Sequence, residues 1–180
     1  IITGVTLTSG EELKSKAIIL ACGGFESNAT LRSKFLGLEW ASAKVRCTPN
    51  NTGDGLIAAW DLGAQRYGRF SGCHATPMDY FMKDYGNLSI PHGERKNYRK
   101  ICYFLGVMLN ENGLRFLDEG VDFRNYTYAQ FGQAILKEPG KRAWQIFDSK
   151  VFDLLYSEYE FSDAHYEEAD SLAELFQKCD

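Results

Sequence analysis

The segment Ser15-Lys16-Ala17-Ile18-Ile19-Leu20-Ala21-Cys22-Gly23-Gly24 constrains this chain more than any other. Its centre is apolar at every position rather than at alternate ones, the pattern of a strand buried on both faces. The run from Ser15 to Ala21 is therefore read as a strand, ended by the glycine pair. Ser27 and Asn28 then stand where either can cap a short helix presenting Leu31, Phe35 and Leu38 on one side. Strand, glycine turn and helix in that order belong to layered α and β structure, in which a ligand can approach main-chain groups at a strand's carboxyl end. Upstream, Ile2 to Thr8 reads as a further strand and Ser9-Gly10-Glu11-Glu12 as the turn between the two.

A second segment has the same character. Pro49-Asn50-Asn51 leads into Thr52-Gly53-Asp54-Gly55, and Leu56 to Leu62 is helical in composition, with Gly63 placed to end it. A dinucleotide cofactor needs main-chain N–H groups at close range and acceptors for its sugar hydroxyls. Ala21, Cys22, Gly23 and Gly24 on one side, and Asn51, Thr52, Gly53 and Asp54 on the other, are the candidates for that role. Asp54 repels phosphate but can accept from ribose or ribityl hydroxyls. The plainer alternative is a turn at Gly23-Gly24 and a helix cap at Asp54.

From about Gly72 the chain becomes aromatic-rich. A basic cluster, Arg95, Lys96, Arg99 and Lys100, precedes an apolar strand from Ile101 to Leu105. Its charges either face solvent or draw a multiply charged anion toward a cleft. Val107 to Asn110 and Leu114 to Leu117 flank Glu111-Asn112-Gly113, a hairpin signal. Tyr128, Phe131 and Ile135 recur at helical spacing until Pro139-Gly140, with Tyr126 expected to pack in the same series. Ala143 to Phe147 then reads as a strand, Val151 to Tyr156 as a short helix, and Ser171-Leu172-Ala173-Glu174 as a capping box. The expected class is mixed α+β, with one lobe over residues 1–71 and a second over 72–180.

Net charge is -4 with both signs interspersed, which argues against a nucleic-acid partner. No apolar run is long enough to span a bilayer. The cysteines, Cys22, Cys47, Cys73, Cys102 and Cys179, are scattered and odd in number, so they signal neither a disulfide framework nor a zinc site and suit a reducing cytoplasm. The acidic residues Asp163, Glu167, Glu168 and Asp170 suggest no function. The chain opens without Met in the β-branched run from Ile1 and stops at Asp180 inside a helical pattern, so it is expected to be an internal piece of a longer protein.

Taken together, the motifs carry a resemblance. Ser15 to Asn28 resembles the glycine-ended segment of the fumarate reductase and succinate dehydrogenase flavoprotein family, which includes flavocytochrome c, ketosteroid dehydrogenases and tricarballylate dehydrogenase. Thr48 to Gly55 followed by Gly63-Ala64, and Gly106 to Glu119, are similar to later motifs of that family in the same order. Asp122 to Ala129 looks most like the tricarballylate dehydrogenase branch. The resemblance implies that 1–71 is the last part of an FAD-binding domain, including part of its sheet, and 72–180 a truncated capping domain. It implies a parent enzyme that passes a hydride between FAD and a small polycarboxylate, with an electron-transfer partner as a candidate, and an isolated chain that is inactive and lacks cofactor. The alternatives are a non-catalytic domain and a relative of the ketosteroid dehydrogenases.

The same resemblance implies roles for particular residues. Arg124 is similar in place to the family's active-site arginine and is a candidate carboxylate clamp and proton relay; otherwise it pairs with Asp118, Glu119 or Asp122 at the surface. His74 resembles a histidine that binds a substrate carboxylate, or else is structural. The sequence departs from the family pattern in three ways: Cys22 stands where a threonine is usual, one extra residue separates Glu119 from Arg124, and a threonine-glutamate pair has no clear match. No metal ligands are expected.

Overall fold

The chain's first hairpin follows its glycine. β1 (Gly4–Thr6) and β2 (Glu12–Lys14) pair antiparallel with Val5 opposite Leu13, and Gly10 in the turn has φ 87°, a left-handed conformation that costs glycine no steric strain. A computed structural model describes residues 2–46, 48–161 and 164–179. Ile1, Cys47, Asp163 and Asp180, each used in the reading above, lie outside them.

The buried strand expected over 15–21 does not form. Residues 17–24 have no regular structure, Ile19 is 91% and Leu20 58% exposed, and no main-chain hydrogen bond among the described residues reaches Ile18 to Gly24. A strand buried on both faces needs neighbours on its edges and layers over both sides, and the described residues provide neither.

The helix after it does form. α1 (Ala29–Leu36) is capped by Asn28, whose side chain accepts from the Leu31 N–H at 3.0 Å. Leu38 does not share its apolar face: Gly37, at φ 128°, turns the chain into a 3-10 segment, Leu38–Ser42, and leaves Leu38 exposed. Buried Arg32 holds that segment, donating to the carbonyls of Trp40, Ala41 and Ala43. α2 (Asp54–Asp61) follows, and Phe25, Phe35, Trp60 and Phe70 gather their rings 5.3–6.0 Å apart over this region.

The larger core lies further along, where Ile101, Tyr103, Met108 and Phe131 are buried against Phe116, Leu117, Tyr128, Ile135, Ala143 and Tyr156. Ile101 to Leu105 was expected to be a strand; it is buried at Ile101, Cys102 and Tyr103 but closes into a 3-10 turn at Tyr103–Leu105. That turn swings β3 (Val107–Leu109) onto β4 (Trp144–Ile146), with Met108 opposite Gln145. The Asn-Gly turn also forms, Gly113 N–H donating to the Asn110 carbonyl at 2.9 Å. Its second arm bridges only at Leu109 and Arg115, because the Met108 N–H is taken by the Glu119 carboxylate at 2.6 Å.

α3 (Arg124–Ile135) runs under this core, and α4 (Leu172–Lys178) starts at Ser171, which caps the Glu174 N–H. Tyr126, expected to pack with Phe131, is 70% exposed. The short helix expected over Val151 to Tyr156 forms as a 3-10 segment shifted toward the N-terminus, Ser149–Leu154. The basic cluster is largely committed inside the fold: Arg99 pairs with Glu158 at 2.5 Å, the Lys100 ammonium donates to the Glu158 carbonyl, and Arg95 donates to the carbonyls of Ile90 and Tyr85. Arg99 is thus neutralised by Glu158, while Arg95 serves to tie neighbouring main chain together. The fold class is mixed α+β, as expected.

Candidate functional site

The two glycine-containing stretches lie side by side. Ser27 N–H donates to the Asn51 carbonyl at 2.9 Å, the Ser27 hydroxyl to the Thr48 carbonyl at 2.5 Å, and the Asn28 amide to the Thr52 carbonyl at 2.9 Å. Asn51 also donates to Glu26. Two glycines let the loops close. Gly23 has φ 81°, and a Cβ there would stand 2.6 Å from Asn51 Oδ1; Gly53 has φ 88°, and a Cβ there would stand 2.9 Å from Phe25 Cβ. Cys22 rests against Gly55.

Asp54 is not a helix cap. Gly53 occupies the cap position with no side-chain bond, and Asp54, exposed in the first turn of α2, accepts from the Thr52 hydroxyl at 2.8 Å. The loop pair thus offers uncommitted main-chain N–H groups from Ile18 to Gly24 beside an exposed carboxylate. That donor and acceptor set fits a cofactor carrying both phosphates and sugar hydroxyls.

A second group of residues is assembled by α3. Ala75 N–H donates to the Ala129 carbonyl at 2.8 Å and Gly132 N–H to the Ala75 carbonyl at 3.0 Å, so residues 75–76 lie directly on the helix. Only glycine permits this, since a Cβ at 132 would stand 2.6 Å from the Ala75 carbonyl and 2.9 Å from Thr76. The contact delivers His74, whose ring meets Tyr128 edge-on at 5.0 Å and whose Nδ1 is 3.4 Å from the Thr76 hydroxyl. The adjoining Cys73 thiol is pushed up by the protein around it and then by Glu26, with Arg32 opposing.

Arg124 begins α3, with its guanidinium 5.9 Å from the Tyr128 ring centre and 5.6 Å from that of Tyr156. Among the described residues it forms no ion pair. The three carboxylates nearest to it in sequence are engaged elsewhere: Glu119 accepts from Arg115, Asp118 from Gly120 N–H, and Asp122 from Phe123 N–H. The surface ion-pair alternative for Arg124 is thus overturned. Tyr128, Tyr156 and Gly132 were not singled out from the sequence as site residues. Tyr128 stands one helical turn from Arg124 and was legible by spacing; nothing local points to Tyr156.

No family model matches this chain. It is similar to the vinyl phenol reductase of Lactiplantibacillus plantarum, at 29% identity, covering 89% of this chain and 32% of that protein. It is also similar to a probable fumarate reductase of Shewanella frigidimarina, at 28% identity, covering 77% of this chain and 21% of the other. In structure it is similar to a 3-ketosteroid delta1-dehydrogenase from Sterolibacterium denitrificans, crystallised with 1,4-androstadiene-3,17-dione. The TM-score is 0.56 at 28% identity, covering 82% of this chain and 26% of the other. The chain spans about a third or less of the length of these relatives. By name all of them are oxidoreductases. Among the described residues no helix is long and apolar enough to cross a membrane, and no cluster of three or more metal-ligating side chains occurs.

Proposed function

We propose that this chain is part of a flavin-dependent oxidoreductase acting on a small polycarboxylate, with residues 1–71 contributing to an FAD cradle and 72–180 to a lobe that covers the substrate. The observation that carries the substrate class is Arg124, seated on two tyrosine rings and without a carboxylate partner among the described residues, with His74 meeting one of those rings, Tyr128. A guanidinium held in that way presents parallel N–H groups that match a carboxylate bidentately. The oxidoreductase class is supported by the named relatives, and a tricarballylate-like acid by the Asp122 to Ala129 stretch.

FAD, when bound, supplies the hydride-transfer chemistry. The N–H groups of Cys22, Gly23 and Gly24 would face its phosphates or ring, and Asp54, positioned by Thr52, would accept from a sugar hydroxyl. Asn51 and Gly53 hold the two loops together. Arg124 would fix one substrate carboxylate and His74 another, which orients the carbon between them. Guanidinium groups are poor bases, so clamping is the main work of Arg124 and proton relay the lesser.

A second reading, a 3-ketosteroid as substrate, is favoured by the structural likeness to the Sterolibacterium denitrificans enzyme. One experiment separates the two. In the full-length protein, Arg124→Ala should lower kcat/KM on tricarballylate about a hundredfold or more. Arg124→Lys, which keeps the charge but loses the fork, should be nearly as impaired. Unchanged turnover of polycarboxylates in both variants would remove Arg124 from the site, and turnover of a 3-ketosteroid by the wild type would favour the second reading.

A further inference from the structure

Arg124 and His74 belong to separate stretches of chain, and the structure relates them through one ring. His74 meets Tyr128 edge-on at 5.0 Å, and the Arg124 guanidinium lies 5.9 Å from the same ring centre. The two groups are therefore no farther apart than those two legs allow. Tyr128 is itself fixed, since it packs against the buried cluster of Ile101, Tyr103, Met108 and Phe131. Among the described residues its hydroxyl makes no hydrogen bond, so the ring rather than the phenol does the holding. Arg124 has a second aromatic neighbour in Tyr156, and His74 has none besides Tyr128 among the described residues.

We infer that Tyr128 is a positioning residue that sets the separation of Arg124 and His74, and thereby selects acids carrying two or more carboxylates over those carrying one. This rests on the reading of Arg124 and His74 as carboxylate-binding groups. A long cationic side chain without such a seat keeps its rotamer freedom and must lose it on binding. A ring touched by both groups removes that cost for both at once and fixes the spacing of their ligands. A monocarboxylate needs only one group and gains nothing from the spacing.

The test compares equilibrium binding of tricarballylate and of butyrate to the full-length protein. Tyr128→Phe should keep both affinities within about twofold, while Tyr128→Leu should lower the ratio of tricarballylate to butyrate affinity about tenfold. The KM for tricarballylate should rise in Tyr128→Leu with kcat nearly unchanged. A ratio that stays constant, or equal weakening of both acids accompanied by a lower melting temperature, overturns the inference. Should Tyr128→Leu fail to fold, the wild-type chain decides: an Arg124 Nε–H resonance without the upfield displacement of a ring-stacked guanidinium overturns it equally. Arg124→Ala and His74→Ala are measured alongside. If either leaves tricarballylate binding intact, the reading of the site fails and this inference falls with it; if both abolish binding and Tyr128→Leu does not shift the ratio, only this inference fails.

Discussion

Glu119 is a buried carboxylate with three donors. Its side chain, 3% exposed, accepts from the Met108 N–H at 2.6 Å and from Arg115 Nε at 2.8 Å, with a second bond from the same guanidinium. Burial by itself would raise its carboxyl; the Arg115 hydrogen bonds, main-chain N–H groups and the Arg115 charge together hold it below the usual 4.5. Because the folded-state value is the lower one, this group stabilises the fold fully above the unfolded value. The contribution is lost as pH falls through the folded value. Glu119→Gln should therefore cost about 1.5–3 kcal/mol near neutrality, measured by urea unfolding. The gap between variant and wild type should narrow as pH drops below the unfolded value of 4.5. A gap that stays constant from neutrality down to that acid range would mean that folding leaves the Glu119 carboxyl unshifted.

At the scale of elements, α3 does two jobs through one glycine. In an isolated helix Gly132→Ala would stabilise by about 1 kcal/mol. Here the added methyl would stand 2.6 Å from the Ala75 carbonyl, and main chain cannot yield as a flexible side chain can. Overpacking of this kind costs about 1–3 kcal/mol, so the net effect expected is a lower melting temperature. Segment 74–76 should also lift from the helix, and the His74 ring should lose its contact with Tyr128, which its ring-proton chemical shifts would register. An unchanged or higher melting temperature with unmoved His74 resonances would show that the close approach does not exist in solution.

For the whole molecule, the cradle proposed for FAD consists of two loops, and Ile18 to Gly24 makes no main-chain hydrogen bonds among the described residues. Two loops cannot enclose a ligand of dinucleotide size, whose sites bury most of the bound molecule. We therefore expect the 180-residue chain, purified by itself, to be colourless. The full-length parent should show the visible absorption of a bound flavin. Stoichiometric yellow flavin on the isolated chain would contradict this division of the site.

What the residues specify locally was readable in advance. Gly10, Asn28, Gly113 and Ser171 make their turns and caps through partners a few positions away, and such partners travel with the sequence. The glycine stretches ending at Gly24 and Gly55 were legible for the same reason. Residues 15–21 were misread because burial of a strand depends on what covers it, and hydrophobicity alone supplies no cover. The second arm of the Asn-Gly hairpin was misread because a carboxylate from Glu119 took the ladder position. Arg124 had three acidic neighbours in sequence, yet its actual surroundings are two tyrosines, one of them from a distant stretch. Local chemistry thus singled out the two glycine stretches, and the family resemblance singled out Arg124 and His74. Tertiary packing decided their neighbours, because the groups that touch Arg124 and His74 are brought there by a core and a helix that no short window of sequence contains.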